Sequence, residues 1–250
     1  MKRVFIGIFI LIIIILFFHS FREGYATSTE SKIPKIIIQT WKTKEIPHKY
    51  LAHVESIKTK NPDFQYMFFS DKDIETFFHD KYPEYYSTFQ KLPTIIQKID
   101  FFRYVAIYHY GGIYLDLDMM AIEPIDNVLL QHSCVFPIDE FITSAMCNNE
   151  RYRDFCDENI LFLLGQYAFA AEPKNEFIKA LVDSIDTNIQ TTIKKYKRNS
   201  HNYIYQTTGP DFVTKTYMSY FDKSNITILN VGKRQYFGKY ARHDFFGSWK

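Results

Sequence analysis

Within residues 108–118, Tyr-His-Tyr-Gly-Gly-Ile-Tyr-Leu-Asp-Leu-Asp, the chain must end a helix, reverse and begin a strand. The paired glycines accept the positive φ that closes a helix. The apolar residues after them predict a short buried strand over residues 113–117. Side chains alternate faces along a strand, so Asp116 and Asp118 are expected to point the same way, roughly 6–7 Å apart. Paired carboxylates of this kind suit Mg²⁺ or Mn²⁺, which can also hold a diphosphate. The bland alternative makes the two acids ordinary turn residues after a strand.

The helix that leads into this run is equally legible. Ile95, Ile96, Ile99, Phe102, Val105 and Ala106 recur at helical spacing between Thr94 and Gly111. Asp100 and Arg103 lie three apart on it and can project to the same side. Upstream, a strand is expected at 35–39, a helix at 47–60 ended by Asn61-Pro62, and a strand at 64–69. Ser70-Asp71 is a cap for a helix to about residue 79, and a short helix follows over 82–92. Downstream, the pattern predicts strands at 133–137 and 225–230, helices at 173–195 and from Gly209-Pro210 to 220, and a polar, aromatic tail. Strands alternating with helices argue for a layered α/β domain.

A chain of 250 residues with 46% hydrophobic and 23% charged residues supports one substantial globular domain. A formal net charge of +2 excludes a dedicated nucleic-acid binder, and no nucleic-acid-binding signature is present. Most of the 24 Phe and 19 Tyr are core residues by expectation. The spacing of Cys134, Cys147 and Cys156 excludes a structural zinc site and leaves both one disulfide and three free thiols open.

Met1-Lys2-Arg3 precedes an uninterrupted apolar run over residues 4–18. Residues 1–22 are expected to form a signal-anchor or transmembrane segment, with the positive N-terminus held in the cytoplasm. Cleavage near Gly24-Tyr25-Ala26 is the alternative. Residues 23–32 read as a short polar stem and 33–250 as the folded domain. The expected topology is single-pass type II, with the domain in an ER- or Golgi-like lumen or otherwise extracytoplasmic. The sequon Asn225-Ile226-Thr227 fits that placement.

One arginine and three carboxylates about a cation make a site for a diphosphate. Trp41 falls just beyond a strand end, where aromatics line cleft mouths, and the His243 imidazole can complete a metal shell. Several stretches together resemble the D-x-D sugar-transferase family of the initiating mannosyltransferases (glycosyltransferase family 32). They are residues 33–41, Asn61-Pro62-Asp63-Phe64, Asp100 with Arg103-Tyr104, residues 110–118, Thr208-Gly209-Pro210, and His243 with Gly247-Ser248-Trp249. Residues 41–47 and the closing Gly-Ser-Trp are most similar to the inositolphosphorylceramide mannosyltransferase branch.

The resemblance implies a GT-A fold over the catalytic domain 33–250, and a retaining hexosyltransferase that uses Mn²⁺ or Mg²⁺. It further implies a GDP-mannose or UDP-hexose donor and a glycan or glycolipid acceptor. Asp100, Arg103 and Asp118 would then be catalytic. Asp116, Asp118 and His243 would hold the metal, and Gln39, Trp41, Tyr114, Asp116, Ser248 and Trp249 would bind the donor. The chain departs from the pattern at Ile38, where the family often has His, and over residues 162–172. Two other classes fit less of the chain. A D-x-D-x-[TV] phosphohydrolase needs Thr or Val where Met120 stands, and a non-catalytic sugar-binding module would need none of the acids.

Overall fold

The computed structural model describes residues 31–195, 201–230, 232 and 235–247. The expected anchor over 1–22, most of the stem, and Ser248 and Trp249 lie outside these residues. Among the described residues no helix is long and apolar enough to cross a membrane.

The first half alternates strand and helix as its pattern predicts. Strand β1 (Ile36–Trp41), helix α1 (His48–Lys60) and strand β2 (Gln65–Ser70) are followed by α2 (Asp71–Lys81), α3 (Pro83–Lys91) and α4 (Ile95–Tyr110). Helix α2 opens with a capping box. The Ser70 hydroxyl accepts from the Asp73 backbone N–H while the Asp73 carboxylate accepts from that of Ser70. Thr94 caps α4 by accepting from the Gln97 N–H. Glycine ends α4: Gly111 has φ +65° and Gly112 φ +92°. A Cβ on Gly112 would stand 2.6 Å from the Ile36 carbonyl oxygen, so only glycine lets β3 (Gly112–Leu115) lie beside β1.

The second half contains β4 (Met119–Ala121), α5 (Asn127–Leu130), β5 (Cys134–Phe141) and a 3₁₀ turn (Ser144–Asn148). Then come α6 (Glu150–Asp157), β6 (Phe162–Leu164), β7 (Ala168–Ala171) and α7 (Glu176–Lys195). Helices α8 (His201–Thr207) and α9 (Pro210–Ser219) and strands β8 (Ile226–Leu229) and β9 (Ala241–His243) complete the described elements.

The main sheet runs β2-β1-β3-β7-β5-β6, with β8 beside β5. Strands β1, β2 and β3 are parallel, whereas β7 is antiparallel to both β3 and β5. The layered α/β expectation therefore holds, with a mixed rather than wholly parallel sheet. Apolar side chains fill both faces. Ile38, Tyr114 and Phe169 join one core with α4 and α7, while Ile37, Ile113 and Ala170 join a second core on the opposite face. This is the burial expected of central strands covered on two sides.

The strand predicted over 113–117 is shorter than expected. β3 stops at Leu115, and Asp116–Asp118 form a tight turn closed by the Met119 N–H donating to the Asp116 carbonyl at 3.0 Å. The cause is Leu117. It turns away from the sheet to bury against Tyr50 and Val54 of α1, a contact worth about 2 kcal/mol. The two acids thus project from a turn and do not share one strand face.

Candidate active site

The carboxyl ends of β1 and β3 and the amino end of antiparallel β7 meet at one edge of the sheet, so three separate segments contribute side chains there. Trp41 closes β1, Asp116 follows β3, and Gln166 and Tyr167 precede β7. Helix α4 runs above this edge and carries Asp100 and Arg103 toward it.

Arg103 is the hub. Its Nη1 donates to the Gln166 carbonyl at 2.9 Å, and its Nη2 lies 3.3 Å from both Asp100 Oδ1 and Asp116 Oδ1. The guanidinium carbon sits 4.5 Å over the Tyr114 ring, and Nε is buried without a partner among the described residues. Burial works against the charge, but Asp116, Tyr114 and Asp100 hold the guanidinium firmly protonated. Asp100 accepts from the Thr208 hydroxyl at 2.7 Å and from the Gln166 amide at 3.1 Å. Burial nevertheless raises its carboxyl to about 6, outweighing Arg103 and both hydrogen bonds.

Asp116 and Asp118 have opposite environments. Burial raises Asp116, against the pull of Arg103, and the charge of Asp118 adds to the rise. Asp118 is buried too, but His243 and the Phe246 N–H hold it below the ordinary carboxylate range. His243 Nε2 lies 3.1 Å from Asp118 Oδ1, and the Phe246 N–H donates to Asp118 Oδ2 at 2.9 Å.

The segment that delivers His243 was expected only as a polar, aromatic tail, with no strand assigned to it. It instead forms β9, which pairs antiparallel with β4 so that His243 stands opposite Met119. Asp244 then fixes the strand by accepting from Arg242 and lying 2.8 Å from His53 Nε2 on α1.

Ligand atoms of Asp116, Asp118 and His243 all fall within 4.8 Å of one another. Two hard oxygens and an imidazole nitrogen are a donor set that a Mn²⁺- or Mg²⁺-sized ion fits. The two adjacent acids need a further positive charge, because Arg103 reaches only Asp116. The His243 Nδ1 atom is buried and unpartnered among the described residues, which leaves Nε2 as the atom facing the acids.

These residues line a cavity of about 320 Å³ with Trp41, Tyr114 and the apolar wall of Ile95, Ile96 and Ile99. The Trp41 ring is half-buried at its mouth, 5.0 Å from Tyr50. The Tyr114 hydroxyl donates to Asp116 Oδ1 at 3.0 Å, orienting that acid, and contacts Thr40 at 3.1 Å. Gln39 is placed elsewhere. It is fully buried behind the turn, where its amide nitrogen donates to the carbonyls of Leu115 and Asp116 and its oxygen accepts from Tyr66. It shapes the turn and does not line the cavity.

A second cavity of about 170 Å³ adjoins the first across Arg103, Asp116 and His243. Asp100 opens into it, together with four residues that sequence reasoning passed over: Asp139, Arg151, Gln166 and Tyr205. Arg151 is committed to Asp211 through Nε and Nη2, the latter at 2.6 Å, and its guanidinium carbon lies 4.3 Å over Tyr205. Burial raises the Asp139 carboxyl to about 6 although Arg151 opposes the rise. A disulfide between Cys147 and Cys156 closes the loop that carries Arg151, and Cys134 remains a buried thiol.

Residues 47–136 match the family described as glycosyltransferase sugar-binding region containing DXD motif. Inositol phosphoceramide mannosyltransferase 1 of Schizosaccharomyces pombe is 28% identical over 192 residues, covering 76% of this chain and 52% of the relative. The initiation-specific alpha-1,6-mannosyltransferase of Candida albicans is 26% identical over 212 residues, covering 77% and 54%. The chain thus spans about half the length of these relatives. The UDP-bound glycosyltransferase domain of the YGT toxin superposes with a TM-score of 0.53 at 10% identity, over 87% of this chain and 84% of that one, a likeness of fold. The D-x-D turn falls inside the matched segment, and the relatives align over three quarters of the chain. The chain is thus similar to D-x-D sugar transferases, among them inositol phosphoceramide and initiation-specific mannosyltransferases.

Proposed function

We propose that this protein is a metal-dependent, retaining glycosyltransferase that moves a hexose, in the first instance mannose from GDP-mannose, to a hydroxyl of a glycan or glycolipid. The observation that carries the reading is the convergence of Asp116, Asp118 and His243 within 4.8 Å beside the buried Arg103. In this reading residues 33–250 are the catalytic domain. Residues 1–22 anchor it to a membrane through the stem 23–32, with the domain on the lumenal or extracytoplasmic side. The similarity to enzymes named for mannose transfer supports mannose over the hexoses of UDP donors.

The residues divide the work by position. Trp41 stacks on the nucleotide base at the cavity mouth. Arg103 hydrogen-bonds the diphosphate and stabilises the charge that grows on it as the sugar leaves; its own geometry is fixed by Asp100, Asp116 and Gln166. Asp116, Asp118 and His243 would hold Mn²⁺ or Mg²⁺, which supplies Lewis-acid neutralisation of the departing nucleoside diphosphate. Asp100 accepts hydrogen bonds from sugar hydroxyls. Ser248 and Trp249, by resemblance, close over the diphosphate.

Purified protein should be incubated with GDP-mannose and a panel of UDP-hexoses, with and without Mn²⁺. Asp118→Ala should abolish donor turnover and its metal dependence while keeping a cooperative unfolding transition. Unchanged sugar transfer by that variant refutes the assignment. Turnover of UDP-hexoses alone moves the donor and keeps the reaction class.

A further inference from the structure

Asn225-Ile226-Thr227 is the chain's one Asn-x-Ser/Thr triplet, and sugar transfer at the other end of the sheet makes no use of it. Asn225 is exposed, and its side-chain amide makes no hydrogen bond among the described residues. The turn that holds it is closed by other groups. The Ile226 N–H donates to the Lys223 carbonyl at 3.1 Å, and the Ser224 N–H donates to Asp222 Oδ1 at 3.0 Å. An exposed turn whose asparagine side chain has no structural task is the setting in which a bulky, solubilising group is tolerated. Strand register places the turn far from the catalytic edge. Gly112 of β3 lies opposite Ala171 of β7, Ala171 opposite Cys134 of β5, and Cys134 opposite Ile226 of β8. Ile226 therefore shares a row with the first residue of β3, whereas Asp116 follows its last. Three strand spacings of about 4.8 Å and four residues of about 3.3 Å set the two about 20 Å apart. A group attached at Asn225 clears both cavities.

We infer that Asn225 is a modification site and carries an asparagine-linked oligosaccharide. In the transfer, Asn225 Nδ2 forms a bond to the anomeric carbon of a lipid-diphosphate-linked oligosaccharide. The bond from that carbon to the diphosphate oxygen breaks, the lipid diphosphate leaves with the electron pair, and the amide gives up one proton. A second observation supports the compartment this needs. Cys147 and Cys156, both partly exposed, form a disulfide, while Cys134 stays a buried thiol. Accessible disulfides form and persist where the surroundings are oxidising, the same secretory setting in which Asn-x-Ser/Thr triplets are glycosylated. Thr227 is committed in the fold, its hydroxyl 2.9 Å from His132 Nδ1, so the transfer takes place on the entering chain before β8 pairs with β5. The inference rests on the lumenal placement proposed above and is independent of the donor and its metal.

The test translates the full chain in vitro with rough microsomes and then adds protease outside the vesicles. Half of each sample is afterwards treated with an amidase that cleaves the glycan from asparagine. The expected result is a protease-protected product of raised mass, lowered in a single step by the amidase. Peptide mass should find aspartate at position 225 only after that treatment, a reading that needs no variant. Asn225→Gln and Thr227→Ala should each lose the whole shift, and Thr227→Ser should keep it. A protected wild-type chain without the shift overturns the inference and leaves the lumenal placement standing. A shift that survives Asn225→Gln overturns it as well. A wild-type chain whose folded domain the protease digests overturns the placement, and the inference falls with it.

Discussion

Replacing Asp100 with asparagine should make the protein more stable at neutral pH and less active. Asp100 is 1% exposed, and burial raises its carboxyl from 3.8 to about 6 although Arg103, Thr208 and Gln166 all favour the charge. An acid raised on folding stabilises the fold fully below about pH 3.8 and loses that contribution as pH climbs through about 6. The interval is about two pH units at ~1.4 kcal/mol each, so the buried charge costs the native state about 3 kcal/mol above pH 6. An amide of the same shape avoids that cost, but its second N–H needs an acceptor, which returns about 1–2 kcal/mol. Asp100→Asn should therefore gain about 1–2 kcal/mol at pH 7.5 and lose about 1–2 kcal/mol near pH 4, where wild type no longer carries the buried charge. Urea unfolding followed by tryptophan fluorescence, repeated from pH 4 to 8, reads both numbers. Donor turnover should fall, the pattern of a site that holds a destabilising group for its chemistry. A variant less stable than wild type at pH 7.5, or a difference that stays flat across the range, refutes burial as the dominant influence on Asp100.

Other perturbations have equally definite outcomes. Chelation should remove donor turnover, with Mn²⁺ restoring more than Mg²⁺ because one donor is an imidazole nitrogen; equal recovery by Ca²⁺ would contradict the donor set. Arg151→Ala leaves Asp211, which is fully buried, without its counter-charge and should cost about 3–5 kcal/mol by urea unfolding. Asp211→Asn should cost less, because Arg151 keeps Tyr152 and some solvent contact. Gly112→Ala must adopt φ +92° with its Cβ against the Ile36 carbonyl, so soluble folded protein should not be recovered; a normal melting curve would contradict the close approach of β3 to β1.

The sequence announced the first half of this fold and the centre of the site for the same reason: their signals are local. The Ser70 cap, the helical period of 95–110 and the double glycine each report on residues a few positions away. They put Asp100 and Arg103 on one helix and Asp116 and Asp118 after the strand that follows it, which is where the fold has them. Whatever depends on distant pairing was hidden. Strand β9 is three residues long and exists because β4 lies opposite it. Strands β6 and β7 pair with β5 and β3, and no period of their own marks them. The expectation that the acids shared a strand face failed because it ignored Leu117, whose burial against α1 bends the chain. The resemblance put Gln39 among the donor contacts, yet its amide supports the turn from behind. Asp139 and Arg151 stand beside no motif, and only the tertiary fold brings β5 and α6 to one cavity.

The pairing of β4 with β9 has a consequence for biosynthesis. Asp118 and His243 are 125 residues apart in the chain, yet their side chains touch. A ribosome delivers the two acids long before the imidazole, at about 5–20 residues per second. During that interval the growing chain can fold β1 to β3 around α4, but its metal-binding set stays incomplete. On the proposed function, the capacity to capture a divalent cation would therefore arrive late in synthesis and in one step, when β9 docks. A cation-dependent rise in protease resistance should accordingly appear only in ribosome-bound chains long enough to expose β9.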